Sequence, residues 1–300
     1  MHIKEFLSLG TYLNINNDKI FVIDIGKSDN TIVIINGYPT VSYDYHKVII
    51  ELAKHYRVII HDHFGFGFSD LPNSYCFSII DQADVCIKVW KKLNLKKFKI
   101  LASNYGSKVA KELLYRKNAN LLPFNITSLA IANNSKKDYY VNLNTIQQLL
   151  ENKNISKYKE LLIEYKNRNL FNDIEDTEIE TVNNDVKIEK IWKKFNQIVG
   201  QKEVLVLSSY NEESYIYWHR WMKAIKDSKI PVKIFWRKDD LANINSLMLK
   251  LATSQPKNVE IIENKNCFVI ENEPVSWLLM VLKELDKTTF SLIKNKFVSI

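Results

Sequence analysis

Lys99-Ile100-Leu101-Ala102-Ser103-Asn104-Tyr105-Gly106-Ser107 is an apolar run that ends abruptly in a polar tip. Phe98–Ser103 carries the short apolar signature of a strand, and Ser107–Arg116 reads as a helix. Three residues, Asn104 to Gly106, separate them, so the chain must turn sharply. The small residues Ala102 and Gly106, two before and two after, give the backbone room for that turn. They place Asn104 at its tip.

Outward from this turn, short β-branched runs alternate with amphipathic stretches. Lys19–Ile25, Thr31–Ile35, Arg57–Asp62 and Ile126–Asn133 read as strands. Tyr45–Tyr56 and Ser78–Leu93 read as helices, the second with Ile79, Ala83, Cys86, Ile87 and Trp90 at three- and four-residue spacings. Such alternation implies an α/β architecture, a mostly parallel twisted sheet flanked by helices on both faces. From Asn134 to Ile230 the pattern turns charged and helical, with candidates at Thr145–Glu151, Tyr158–Arg168, Ile188–Val199 and Ser214–Ile225. Alternation resumes at Val232–Trp236, Asn245–Ala252, Val259–Glu263 and Val275–Leu285. The expected division is therefore a core of residues 1–133 and 231–300 with an inserted helical cap at 134–230.

Seven glycines occur in 300 residues, and a chain so poor in glycine keeps it where the backbone demands it. Gly37, Gly65, Gly67 and Gly106 fall in Asn36-Gly37-Tyr38-Pro39-Thr40, in Asp62-His63-Phe64-Gly65-Phe66-Gly67-Phe68-Ser69-Asp70 and in the sharp turn. These segments resemble, in that order, the histidine–glycine–x–proline loop, the D-x-x-G-x-G-x-S-D segment and the nucleophile elbow of the haloalkane dehalogenase and epoxide hydrolase group of α/β hydrolases. They are especially similar to the mesoderm-specific transcript branch. The resemblance is good over Ile32–Asn133, moderate over Pro231–Leu285 and poor in the cap.

The resemblance implies an α/β-hydrolase fold and a catalytic triad, and assigns the triad positions. Asn104 holds the nucleophile position, where the group carries aspartate or serine. An amide is neutral and a far poorer nucleophile than either. Ser103 and Ser107 are out of register with the tip. The segment Asn266–Pro274 aligns with the late histidine loop and puts Cys267 at the histidine position, and no histidine follows His219. A thiol with an ordinary pKa of about 8.5 does not replace imidazole as a near-neutral proton shuttle. Phe235-Trp236-Arg237-Lys238-Asp239-Asp240 puts Asp240 in the acid position, with Asp239 one residue away. Backbone amides of Tyr38 and Tyr105 would form an oxyanion hole. Asn36, Gly37, Tyr38, Phe64, Tyr105 and Trp236 would line a pocket for a small apolar ligand.

His61 and His63 flank Asp62, a trio that looks like a metal cluster. Strand alternation turns Asp62 away from both histidines, and two ligands without a nearby third point to packing. No metal and no cofactor are expected. The +8 charge is spread along the chain, with one denser run at Lys91, Lys92, Lys96, Lys97 and Lys99. Without a nucleic-acid motif beside it, that run reads as a solvated surface. No apolar stretch is long enough to span a membrane, and Met1–Glu5 lacks the pattern of a secretory leader. Three cysteines without a CxxC pair point to a reducing, cytoplasmic setting.

The expected function is a hydrolase framework without a working triad, retained for ligand or partner binding. Two alternatives stay open at this point. One is a divergent hydrolase of esters, epoxides or haloalkanes, using Cys267 as nucleophile, His219 from the cap, or Asn104 deamidated to aspartate. The other is an interaction module built on the basic cap.

Overall fold

Thr31–Ile35 (β3) is buried at all five positions, which marks a strand covered on both faces. The computed structural model describes residues 1–37, 41–73, 75–132, 213–214, 216–237, 257–264, 274–286, 289–291 and 294. Within them β3 lies in an eight-stranded sheet. The other strands are β1 (Gly10–Ile15), β2 (Asp18–Ile25), β4 (Arg57–His61), β5 (Lys97–Ser103), β6 (Asn125–Ala132), β7 (Val232–Arg237) and β8 (Val259–Asn264). Their order is β1-β2-β4-β3-β5-β6-β7-β8. β1 and β2 form an antiparallel edge, β2 meets β4 antiparallel, and the remaining pairs are parallel.

Helices cover both faces. α1 (Ile3–Ser8), α2 (Ile49–Ala53) and α6 (Pro274–Leu285) lie on one face. There Phe6, Leu52, Trp277, Leu278 and Val281 pack against Ile32, Ile34, Val58 and Ile60. Each such aliphatic side chain removed from water contributes about 1.5–3 kcal/mol. α3 (Ile79–Lys92), α4 (Asn104–Asn118) and α5 (Trp218–Lys226) pack in sequence on the other face.

Three sequence expectations need adjustment. The single helix over Tyr45–Tyr56 is a 3-10 turn, Ser42–Tyr45, followed by the short α2. Val48, at φ −120° ahead of α2, departs from helical geometry and separates the two. The helix expected from Ser107 starts three residues earlier, because the tip residue itself opens α4. α1 and β1 carry no clear periodicity and were not expected; Phe6 is the buried residue of α1.

The chain divides into two units, residues 1–135 with 213–300, and residues 136–212. The second unit, the helices expected at Thr145–Glu151, Tyr158–Arg168 and Ile188–Val199, and the helix expected at Asn245–Ala252 lie outside the described residues. Residues 213–230, read from the sequence as the end of the insertion, group with the first unit, where α5 packs on α4. Buried Glu112 of α4 anchors that contact. It accepts from Arg220 Nη2 at 2.5 Å and Trp221 Nε1 at 2.8 Å of α5, and from Arg116 Nε at 2.9 Å. No described helix is long and apolar enough to cross a membrane.

Candidate active site

β5 ends at Ser103 and α4 begins at Asn104, with no linker between strand and helix. The turn is made by one residue: Asn104 has φ +45°, in the left-handed region. Asparagine is among the few L-residues that enter that region readily. The approach to β3 requires glycine two residues later. A Cβ on Gly106 would lie 2.3 Å from the Ile35 carbonyl oxygen and 2.5 Å from that of Asn36. The flanking serines face inward. Ser103 Oγ is buried, and Ser107 Oγ donates to the carbonyls of Ala132 (3.0 Å) and Ala102 (3.3 Å). Asn104 is half-buried and holds the tip.

The second glycine-containing segment is structural at atomic detail. The Asp62 carboxylate accepts from Ser42 N (2.7 Å), Ser42 Oγ (2.9 Å) and Phe68 N (3.0 Å). Burial pushes its carboxyl up to about 6, against the lowering effect of these donors. Gly67, at φ +50°, passes so close that a Cβ would sit 2.2 Å from Asp62 Oδ2. Ser69 Oγ donates to the Asp62 carbonyl and accepts from Phe21 N, and Asp70 Oδ2 accepts from Lys19 N. The segment is thereby tied to β2.

Asn36 and Gly37, just past the end of β3, lie buried beneath the turn. Tyr105 is buried, with its hydroxyl donating to the Phe77 carbonyl at 3.0 Å and its ring against His63 and Phe66. Phe64 is buried with its ring edge-on to Tyr75, 5.6 Å between centroids. Trp236 stands in β7 in register with Glu263 of β8. Tyr38, Asp239, Asp240 and Cys267 lie outside the described residues.

Behind the turn, His61 and His63 share a buried pocket of the core with Cys86 of α3. Burial pushes His61 down to about 4 and His63 well below its ordinary value, and drives the Cys86 thiol up. Cys86 is the group that sequence reasoning missed. Its place on the buried stripe of α3 was visible, but its meeting with His61 depends on how α3 docks on the sheet.

The sequence profile of the α/β hydrolase fold matches residues 30–274, most of the chain. The chain belongs to the α/β-hydrolase fold family. Mesoderm-specific transcript protein of Mus musculus is 40% identical over 96 residues, which cover 31% of this chain and 29% of that protein. The match therefore spans less than a third of that relative. A Mycobacterium tuberculosis protein named as a hydrolase, LipZ, is 25% identical over 254 residues, 85% of this chain and 87% of its own. A haloalkane dehalogenase loop variant from Bradyrhizobium elkanii superposes with a TM-score of 0.60 at 15% identity, covering 89% of this chain and 93% of that one. That likeness is one of fold.

The strand-to-helix turn of this α/β hydrolase is thus occupied by an amide, with a seryl side chain turned inward on either side. His219, the α/β hydrolase's last histidine, is exposed on α5 with its ring against Trp218.

Proposed function

We propose that this α/β hydrolase binds a small apolar ligand at its elbow without hydrolysing it. The observation that carries the reading is Asn104 at the left-handed tip, where attack chemistry would begin. A carboxamide has neither the charge of a carboxylate nor a hydroxyl that a base could activate. The sequence assigns Cys267 to the place of the base, leaving Asp240 no imidazole to orient. Loss of nucleophile or base removes most of the rate in triad enzymes, while backbone oxyanion donors are indifferent to side-chain identity. Recognition by Tyr38 and Tyr105 amides can therefore outlast turnover.

Purified chain assayed with short-chain nitrophenyl esters, a haloalkane and an epoxide should show no turnover above buffer, and Asn104→Ala should change nothing. Intact mass should show Asn104 still an amide. Turnover that Asn104→Ala abolishes would overturn the reading. It would favour instead a divergent active hydrolase, the reading that the match to LipZ along most of the chain supports.

A further inference from the structure

Three side chains with no part in the elbow meet in the core behind it. His61 closes β4 and His63 follows two residues on, so both lie on the side of the sheet that α3 covers. Cys86 of α3 faces them, with Sγ 3.6 Å from His61 Nε2. The ligating atoms of all three lie within 4.8 Å of one another, and all three residues are fully buried.

The polar groups of this cluster are only partly satisfied by the protein. His61 Nδ1 makes no hydrogen bond, and His63 has only poorly aligned contacts, with the Gln82 side chain and the main chain of Asn36. Gln82 donates its amide to the Phe64 carbonyl at 3.1 Å, yet its Oε1 accepts no well-aligned bond. Buried polar atoms are nearly always well paired, so poorly paired nitrogens gathered in one spot beside a thiol require an explanation. Ring packing supplies none. His63 lies edge-on to His61, Phe66 and Tyr105, which accounts for the faces of the imidazole and leaves its nitrogens as they are.

We propose that His61, His63 and Cys86 form a buried binding site for a zinc-type ion that joins β4 to α3. Zn–S and Zn–N bonds of about 2.3 and 2.0 Å in a tetrahedron put sulfur and nitrogen about 3.5 Å apart, close to the separation of Cys86 and His61. A small side-chain movement brings His63 to the same range. One thiolate and two imidazoles select a borderline or soft ion over calcium or magnesium. Asp62, the nearest carboxylate in sequence, is turned away and held by Ser42 and Phe68. A ligating imidazole needs an acceptor for its outer N–H, and Gln82 Oε1 is placed to serve His63. On binding, the Cys86 S–H bond is replaced by a sulfur–metal bond and the proton passes to solvent. Because the ligands are fully enclosed, the ion enters as the chain folds.

The test is to unfold the reduced full chain and refold it with zinc, with cobalt(II) or with a chelator. Stoichiometric metal should survive gel filtration. The cobalt form should show a sulfur-to-metal charge-transfer band, absent from Cys86→Ser and retained in Cys76→Ala, a change at an exposed cysteine. Zinc-refolded chain should unfold at a higher denaturant midpoint than chelator-refolded chain. Where Cys86→Ser fails to fold, a band retained in both Cys76→Ala and Cys267→Ala assigns the sulfur to Cys86, and a band lost in either would overturn the site. No retained metal and equal midpoints, as a buried water among the histidines would give, or a charge-transfer band unchanged in Cys86→Ser, would overturn the site.

Discussion

Gly106 of α4 lies against the Ile35 carbonyl of β3, so closely that a Cβ would come within 2.3 Å of its oxygen. Both partners are main chain: Ile35 is fixed by the sheet, where it pairs with His61 and Ala102, and Gly106 lies in the first turn of α4. Neither can move without disturbing the centre of the fold. Gly106→Ala should therefore destabilise by about 1–3 kcal/mol, the usual cost of forced overpacking. Urea denaturation measures it, and an unchanged midpoint would mean that the helix start can slide.

Asn104 occupies the left-handed region at the same turn. Alanine there should cost about 1–2 kcal/mol in backbone strain, which glycine does not incur. Both substitutions delete the amide, so their difference isolates the backbone. Asn104→Gly should be more stable than Asn104→Ala by about 1 kcal/mol in denaturant melts. Equal stabilities would show that the turn relaxes when the amide is removed.

Glu112 gathers Arg116, Arg220 and Trp221 around a carboxylate whose side chain is 3% exposed. Removing one member of such a buried set leaves charge without compensation, and Glu112→Ala should cost about 3–5 kcal/mol. The loss should be local. Amide exchange should quicken across Trp218–Lys226, which depends on this anchor, while the central strand β5 stays protected. Uniform loss of protection would mean that α5 and the sheet open together.

What the sequence revealed and what it hid follow from the range of each interaction. β3 and β5 were legible to within a residue because burial on both faces writes a continuous apolar run into the chain. The tip at Asn104 was legible because Ala102 and Gly106 are local requirements of the turn. Long-range polar partners were not. Ser78 at the start of α3 donates to Glu213 Oε1, and Ile79 N donates to Oε2, across more than 130 residues with no periodic trace. In the sequence Cys86 is one apolar residue among several on a helix stripe, and only the docking of α3 on the sheet brings it to its histidine neighbours.

Tyr56, just past α2, donates its hydroxyl to Asp286 Oδ2 at 2.5 Å, and Thr289 N donates to Oδ1 at 3.1 Å. Burial raises the Asp286 carboxyl, but these donors together outweigh it and hold the group below its ordinary value of 3.8. The sign follows from proton counting. As pH falls through the carboxylate range, the unfolded chain takes up a proton at this site before the folded chain does, so acid favours unfolding. The stabilisation is complete above the unfolded value and disappears as pH drops through the lower folded one. Asp286→Asn should be less stable than wild type near neutrality, and the gap should close in strong acid. Tyr56→Phe should lose about 1 kcal/mol near neutrality and flatten the same part of the profile. Urea midpoints of the three proteins across the acid range check this, and a constant gap between wild type and Asp286→Asn would mean that the Tyr56 contact does not depend on the charge.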